Sequence, residues 1–381
     1  MPHEQTNGLH LPDLSISNFR GIRNLSIGRL GRVTLFGGRN GIGKTTILEA
    51  VRVYAARAQP RALDEILDQR EELSHPFEED HLPTRSRDYT AMFHGRVFTR
   101  DQVVAIGPTS EPAELVMQLC PLETLDLDQR ELFADFSMVG DWHFLRVRFR
   151  GREILVPAMP VERDSRTAEL WRHYTRARRR GLLEYEKWEI LNCESLGPGI
   201  AENSTLARFW DSVALTEEED VSLEALRLAS SDIERIAVVG DEGSRYRGTG
   251  RRVVVKVQGH PVPVPLKSLG DGATRLFTLG LALANSRDGF LVIDEAENGI
   301  HYSLERDFWR TVLRASKQHN VQVLATTHSS DCVAGFALAA AEAEDTEGVY
   351  VRLDRRGDRL QAVEYTEEEL KTVAEQTIEV R

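Results

Sequence analysis

Gly38-Arg39-Asn40-Gly41-Ile42-Gly43-Lys44-Thr45 has the glycine spacing, the lysine and the hydroxyl of a phosphate-binding loop. Glycines let the backbone curl until successive N–H groups point at one anion. Arg39, Asn40, Gly41 and Gly43 would form that cradle. Lys44 would reach the β- and γ-phosphates, and Thr45 would offer its hydroxyl to Mg²⁺, with Thr46 beside it. Far along the chain, Phe290-Leu291-Val292-Ile293 is an apolar run ending in Asp294 and Glu295. An unbroken apolar run suits a central strand of a parallel sheet, and ligands sit at the ends of such strands. Asp294 is the candidate second metal ligand. Glu295 is the candidate group that orients and polarises an attacking water. The two segments together describe a site for ATP and Mg²⁺.

The flanks supply what these residues need. Arg32–Phe36 reads as a buried strand. Thr45–Ala58 reads as a helix with Ile47, Leu48, Val51 and Tyr54 on one face, so its N-terminus and dipole would meet the phosphates. Two further segments narrow the class. Ser268-Leu269-Gly270-Asp271-Gly272 opens a helix carrying Leu276, Phe277, Leu279, Leu281 and Leu283, and Gly272 stands 22 residues before Asp294. Val323-Leu324-Ala325-Thr326-Thr327-His328-Ser329 is a strand ending in a histidine, after an amphipathic helix from about Tyr302 to His319.

The order phosphate loop, Ser-x-Gly-x-Gly helix, Asp-Glu strand, His strand resembles the ATP-binding-cassette (ABC) ATPases. Asn18-Phe19-Arg20-Gly21-Ile22, Asp294-Glu295-Ala296-Glu297-Asn298-Gly299-Ile300-His301 and Ala325-Thr326-Thr327-His328-Ser329 sharpen this. They resemble the RecF-like and structural-maintenance-of-chromosomes-like branch, most of all the ATPase part of the overcoming-lysogenisation-defect (OLD) family. The resemblance implies an α/β P-loop fold: an ABC-ATPase head with a mixed central sheet, an antiparallel β lobe and a helical insertion. It implies a head-to-tail, ATP-dependent dimer or a higher oligomer. In that dimer Ser268, Gly270 and Gly272 of one subunit touch the γ-phosphate held by the other, and His328 senses the same phosphate. Glu295 and His328 are then the catalytic pair. The signature departs from the transporter form Leu-Ser-Gly-Gly-Gln, and no residue stands out for the glutamine loop; Gln102 is available but unmarked.

Many OLD-family proteins carry a Toprim nuclease domain after the ATPase. The 53 residues after His328 hold no Asp-x-Asp, so the expectation is an effector on a separate chain, in anti-phage defence or DNA maintenance. Two other functions stay open. One is the soluble ATP-binding subunit of a transporter, against which the Asn18–Ile22 entry and the Thr326-Thr327-His328 ending speak. The other is a slow-turnover ATP-sensing scaffold.

Composition fits a cytoplasmic enzyme. No apolar run approaches the roughly 18 residues of a membrane span, Met1–Gln5 has no signal-peptide character, and Cys120, Cys193 and Cys332 show no metal spacing. A net charge of −12 argues against a general affinity for nucleic acid, so any DNA contact must be local. The best local candidate is the basic segment of Arg172, Arg176, Arg178, Arg179 and Arg180, with Trp171, His173 and Tyr174 among them. A solvated helix face, a protein-partner surface and a nucleic-acid contact are its three readings.

Four segments are expected. Residues 1–60 form the first half of the ATPase core. Residues 61–160 hold an acidic helix to about residue 82 and the antiparallel lobe, with strands at Gln102–Ile106 and Leu115–Leu119 and a hairpin turning at Gly151. Residues 161–230 form a helical arm, with helices over 162–192 and 204–229. Residues 231–381 complete the core, with hairpins around Gly259-His260 and Arg355–Asp358.

Overall fold

The computed structural model describes residues 8–74, 86–87, 89–96, 102–109, 113–127, 130, 143–158, 188–240, 250–343, 346–357, 359–366, 369–370 and 372. The basic run Arg172–Arg180 and the first part of the expected arm, residues 161–187, lie outside them.

The phosphate loop's strand is the middle of a mixed sheet. Its strands are β3 (Val33–Gly38), β10 (Cys193–Leu196), β14 (Phe290–Ile293), β15 (Gln322–Thr326), β16 (Gly348–Arg356) and β17 (Arg359–Tyr365), in the order β10-β14-β15-β3-β16-β17. All neighbours are parallel except the β16–β17 hairpin. Strand residues alternate between two cores. Phe36, Phe290, Val292, Leu324 and Val351 face one; Leu35, Leu291, Ile293, Val323 and Ala325 face the other. That two-sided burial is why these strands read as continuous apolar runs.

The first face is covered by α1 (Lys44–Ala55), α2 (Pro60–Gln69) and an antiparallel sheet. That sheet holds β1 (Leu14–Phe19), β2 (Ile22–Ile27), β6 (Val103–Gly107), β7 (Leu115–Pro121), β8 (His143–Phe149) and β9 (Arg152–Ala158), ordered β2-β1-β6-β7-β8-β9. Arg150 and Gly151 both have positive φ (47° and 78°), the geometry of a two-residue hairpin turn. A two-strand ladder of β4 (Leu73–Ser74) and β5 (Ser86–Arg87) lies between α2 and β6 in sequence. The first hairpin is tied to α1 through Arg20, whose guanidinium reaches Glu49 at 3.0 Å and Glu72 at 2.8 Å.

The second face carries α3 (Asn203–Val213), α4 (Glu219–Arg227), α5 (Asp271–Asn285), α6 (Glu305–Gln318) and α7 (Ser330–Glu342). Beside them β11 (Ile233–Gly240), β12 (Arg251–Val257) and β13 (Val264–Pro265) form a small antiparallel sheet. Helix α5 is buried all round from Ala273 to Ala284. Each of its fully buried Leu or Phe side chains contributes about 1.5–3 kcal/mol, so it anchors this half.

Three expectations change. The acidic helix expected over 61–82 ends at Gln69 as α2, because Leu73 and Ser74 pair as β4. The arm expected over 161–230 contains β10, which pairs with β14 inside the nucleotide sheet, and its helices α3 and α4 pack on α5 rather than projecting. Strand β11 stands where no strand was expected, and α3 and α4 are two helices instead of one.

Candidate active site

Strand β3 ends at Gly38, where the chain must turn tightly against β16. A Cβ at Gly38 would sit 2.6 Å from the Leu353 carbonyl oxygen, and its φ is +133°. Gly41 (φ 70°) and Gly43 (φ 117°) complete the curl, and α1 starts at Lys44. Lys44 is buried. Its Nζ donates to the Gly38 carbonyl at 2.6 Å and the Arg39 carbonyl at 3.1 Å, and lies 3.0 Å from His328 Nδ1. Burial lowers the lysine's pKa, while the carboxylates of Glu297, Asp294 and Glu295 oppose that shift. The cation therefore rests across the mouth of its own loop.

Parallel pairing sets Asp294 beside this loop. Thr45 Oγ1 donates to Asp294 Oδ2 at 2.9 Å, and Thr326 Oγ1 donates to Asp294 Oδ1 at 2.6 Å. Thr45 and Asp294 thus offer two hard oxygens side by side. That donor set fits Mg²⁺, which takes one or two protein oxygens and fills the rest of its shell with phosphate and water.

Glu295 follows at φ 50°, a left-handed conformation costly for a residue with a side chain. Its backbone N–H donates to Thr326 Oγ1 at 2.9 Å, and its Oε2 accepts from Asn298 Nδ2 at 2.6 Å. The strained turn re-aims the carboxylate out of the strand direction. His328 lies two residues beyond β15. Its ring meets Lys44, and its backbone N–H donates to Glu297 Oε1 at 2.7 Å.

Lys44, Thr45, Asp294, Glu295 and His328 therefore converge. Arg39, Asn40 and Gly41 line one side of a groove of about 470 Å³ together with Arg352, Asp354, Arg355 and Arg356. Thr46 lies half-buried in the first turn of α1. Ser268 and Gly270 stand apart: both are exposed, on the turn before α5, with Gly270 at φ 93°. Among the described residues no hydrogen bond joins them to the phosphate loop. Gly272 is half-buried, and a Cβ there would come within 2.8 Å of the Gly299 carbonyl oxygen, so the start of α5 packs against the turn after Glu295. Gln102 donates to the His94 carbonyl at 2.7 Å, which accounts for its side chain.

Four residues escaped the sequence reading. Thr326 holds both Asp294 and Glu295, and the signal was a hydroxyl at the end of a buried strand. Glu297 and Asn298 steady the turn after Glu295. Arg275 is 5% exposed and donates from Nη1 to the carbonyls of Gly197 (2.6 Å) and Gly199 (3.2 Å) and from Nη2 to that of Asp294 (3.4 Å). It links α5 to both β10 and β14, and nothing in its sequence neighbourhood announces those partners.

Residues 204–333 match the family model described as AAA ATPase domain, and residues 13–81 match the one described as AAA domain. Both halves of the site lie in AAA-type ATPase sequence. An "ATP/GTP phosphatase" of Helicobacter pylori is 20% identical over 341 residues, spanning 85% of this chain and 86% of that protein. Among solved structures, the fold is similar to an SMC head bound to the C-winged helix domain of ScpA (12% identity, 96% of this chain, 100% of that chain, TM-score 0.49). It is similar also to the SMC head domain from Thermotoga maritima (15% identity, 94% and 100%, TM-score 0.42). Among the described residues no helix is long and apolar enough to cross a membrane.

Proposed function

We propose that this chain is an ATP hydrolase of the ABC type that works as a nucleotide-gated, head-to-tail dimer. The observation that carries the reading is the convergence of Lys44, Thr45, Asp294, Glu295 and His328 from three separate stretches of sequence. In the proposed cycle Lys44 leaves the Gly38 and Arg39 carbonyls for the β- and γ-phosphates, a stronger, charge-assisted set of bonds. Thr45 and Asp294 hold Mg²⁺, which when bound supplies charge neutralisation at the phosphates. Glu295 exchanges Asn298 for a water and polarises it toward the γ-phosphate. His328, already at Lys44, contacts the same phosphate.

The exposed Ser268 and Gly270 support the dimer. They present a hydroxyl and an open, left-handed backbone to solvent, where a second copy's nucleotide can reach them. Opening and closing of that dimer would be passed to a separate effector. The OLD-like motifs make anti-phage defence or DNA maintenance the proposed setting. A separate effector protein is the proposed partner, with DNA a further one, and the interior of the cell is the proposed location.

A second reading, a slow-turnover ATP sensor, is favoured by the Asn298 bond, which occupies one oxygen of the Glu295 carboxylate. One experiment separates the two. Wild type and Glu295→Gln are assayed for phosphate release and sedimented with ATP and Mg²⁺. Hydrolysis should fall on the order of 10²-fold or more in the variant, the usual scale for losing a group that acts on the proton, with the dimer trapped. Equal, near-background rates in both would favour the sensor. Equal, substantial rates would remove Glu295 from the chemistry, and no dimer in either would remove the clamp.

A further inference from the structure

The groove between the phosphate loop and the β16–β17 hairpin has no part in the chemistry above. Strand β15 lies on one side of β3 and β16 on the other. Asp294, which Thr45 meets, and His328, which meets Lys44, follow β14 and β15, so the β- and γ-phosphates belong on that side of the loop. A nucleotide that crosses the loop therefore leaves it toward β16. Strand β16 extends to meet it. Its register with β3 ends at Leu353 opposite Gly38, and Asp354, Arg355 and Arg356 run on past the end of β3, beside the loop.

The side chains in this groove suit the sugar and base end of a nucleotide. Arg355 and Arg356 are exposed, and among the described residues no hydrogen bond or ion pair engages their guanidinium groups. Ile42, 7% exposed, lines the groove from the loop side. Asp354 Oδ2 accepts from Arg352 at 2.7 and 3.1 Å, and its Oδ1 has no partner among the described residues. A planar guanidinium stacks on an aromatic face, and a carboxylate oxygen accepts from a hydroxyl. That carboxylate among the arginines repels a phosphate and suits a sugar. At about 470 Å³ the groove lies within the roughly 300–1,000 Å³ of small-ligand sites. The β1–β2 turn, which reaches the loop where Ile22 approaches Gly43, offers no such contacts: Phe19 is fully buried, and Arg20 is held by Glu49 and Glu72.

We propose that this groove is the nucleoside subsite: the Arg355 and Arg356 guanidinium groups pack on the base, and Asp354 accepts from the ribose hydroxyls. The proposal rests on the ATPase reading above and adds to it the residues that tell a nucleotide from a bare polyphosphate.

The test compares ATP with inorganic tripolyphosphate, each with Mg²⁺, by calorimetry at physiological salt. The proteins are wild type, the double variant Arg355→Gln with Arg356→Gln, and Asp354→Ala. Arg359→Gln removes a charge from the same hairpin outside the groove and controls for long-range electrostatics. In the double variant ATP affinity should fall on the order of tenfold, the scale of one lost base-stacking contact, while tripolyphosphate affinity matches that of the control. Wild type should bind ATP more tightly than 2′,3′-dideoxy-ATP, and Asp354→Ala should bind the two alike. Equal losses for ATP and tripolyphosphate would make the arginines phosphate contacts and overturn the proposal. Unchanged ATP affinity with weakened dimerisation in sedimentation would overturn it too, making the hairpin a surface for a second copy. Dideoxy-ATP bound as tightly as ATP by wild type would remove Asp354 from the subsite. Wild type that binds neither ATP nor tripolyphosphate would sink the ATPase reading itself, and the subsite with it.

Discussion

Replacing Arg275 by Met tests how the two halves of the site are joined. The buried guanidinium makes two well-placed hydrogen bonds, at 2.6 and 3.2 Å, and a marginal one at 3.4 Å. Bonds to a charged donor are worth about 1.5–3 kcal/mol each, so the gross loss is about 3–6 kcal/mol. Two effects reduce it. The Gly197 and Gly199 carbonyls lie in an exposed turn and can be rehydrated, and methionine need not desolvate a cation. The net expectation is a loss of about 2 kcal/mol. Arg275→Lys should fall between, since one ammonium cannot span carbonyls that the planar fork bridges. Urea unfolding measures the loss directly. A thermal scan should show a drop of about 4 °C at roughly 2 °C per kcal/mol for a large chain. Turnover should also fall, because α5 and the Asp294 strand would no longer be tied. Stability of Arg275→Met within about 0.5 kcal/mol of wild type, the range of an ordinary surface change, would refute the argument that Arg275 staples α5 to β10 and β14.

Lys44→Ala should weaken ATP binding on the order of 10²-fold or more, from two lost charge-assisted contacts at about 1.5–3 kcal/mol each; titration with a fluorescent ATP analogue checks it. Ser268→Arg or Gly270→Asp should block ATP-driven dimerisation in sedimentation and leave first-nucleotide binding intact; weakened binding in the monomer would make the segment structural in its own chain. Glu305 gives a pH dependence of stability. Its folded pKa, about 7, is raised above the ordinary 4.5, so its neutral form stabilises the fold fully below 4.5, and that contribution is lost as pH rises to 7. At about 1.36 kcal/mol per unit the loss is at most about 3.4 kcal/mol. Urea midpoints from pH 5 to 8 should therefore show Glu305→Gln gaining on wild type as pH rises.

What the sequence determined by itself was local. The phosphate loop, its strand and its helix could be read because glycine spacing, an apolar run and a 3.6-residue period are encoded within a few turns of chain, and they emerge as β3, Gly38–Gly43 and α1. The Asp294-Glu295 strand and the His328 strand were legible for the same reason, since two-sided burial leaves an unbroken apolar signature in β14 and β15. Tertiary structure decided the partners. Cys193–Leu196 is short and mixed in character, and only pairing with β14 makes it a strand of the central sheet. The acidic run after Gln69 continues a helical composition, yet pairing of Leu73 with Arg87 ends the helix. Arg275 looked like one charge in an apolar helix until the fold brought three carbonyls from two strand ends to it. Glu305 looked like the acidic first turn of an amphipathic helix, a place where a carboxylate is ordinary. Its burial against Gly335 comes from the packing of α6 on α7. No sequence window holds that information, because the energy of a buried charge depends on what surrounds it in space.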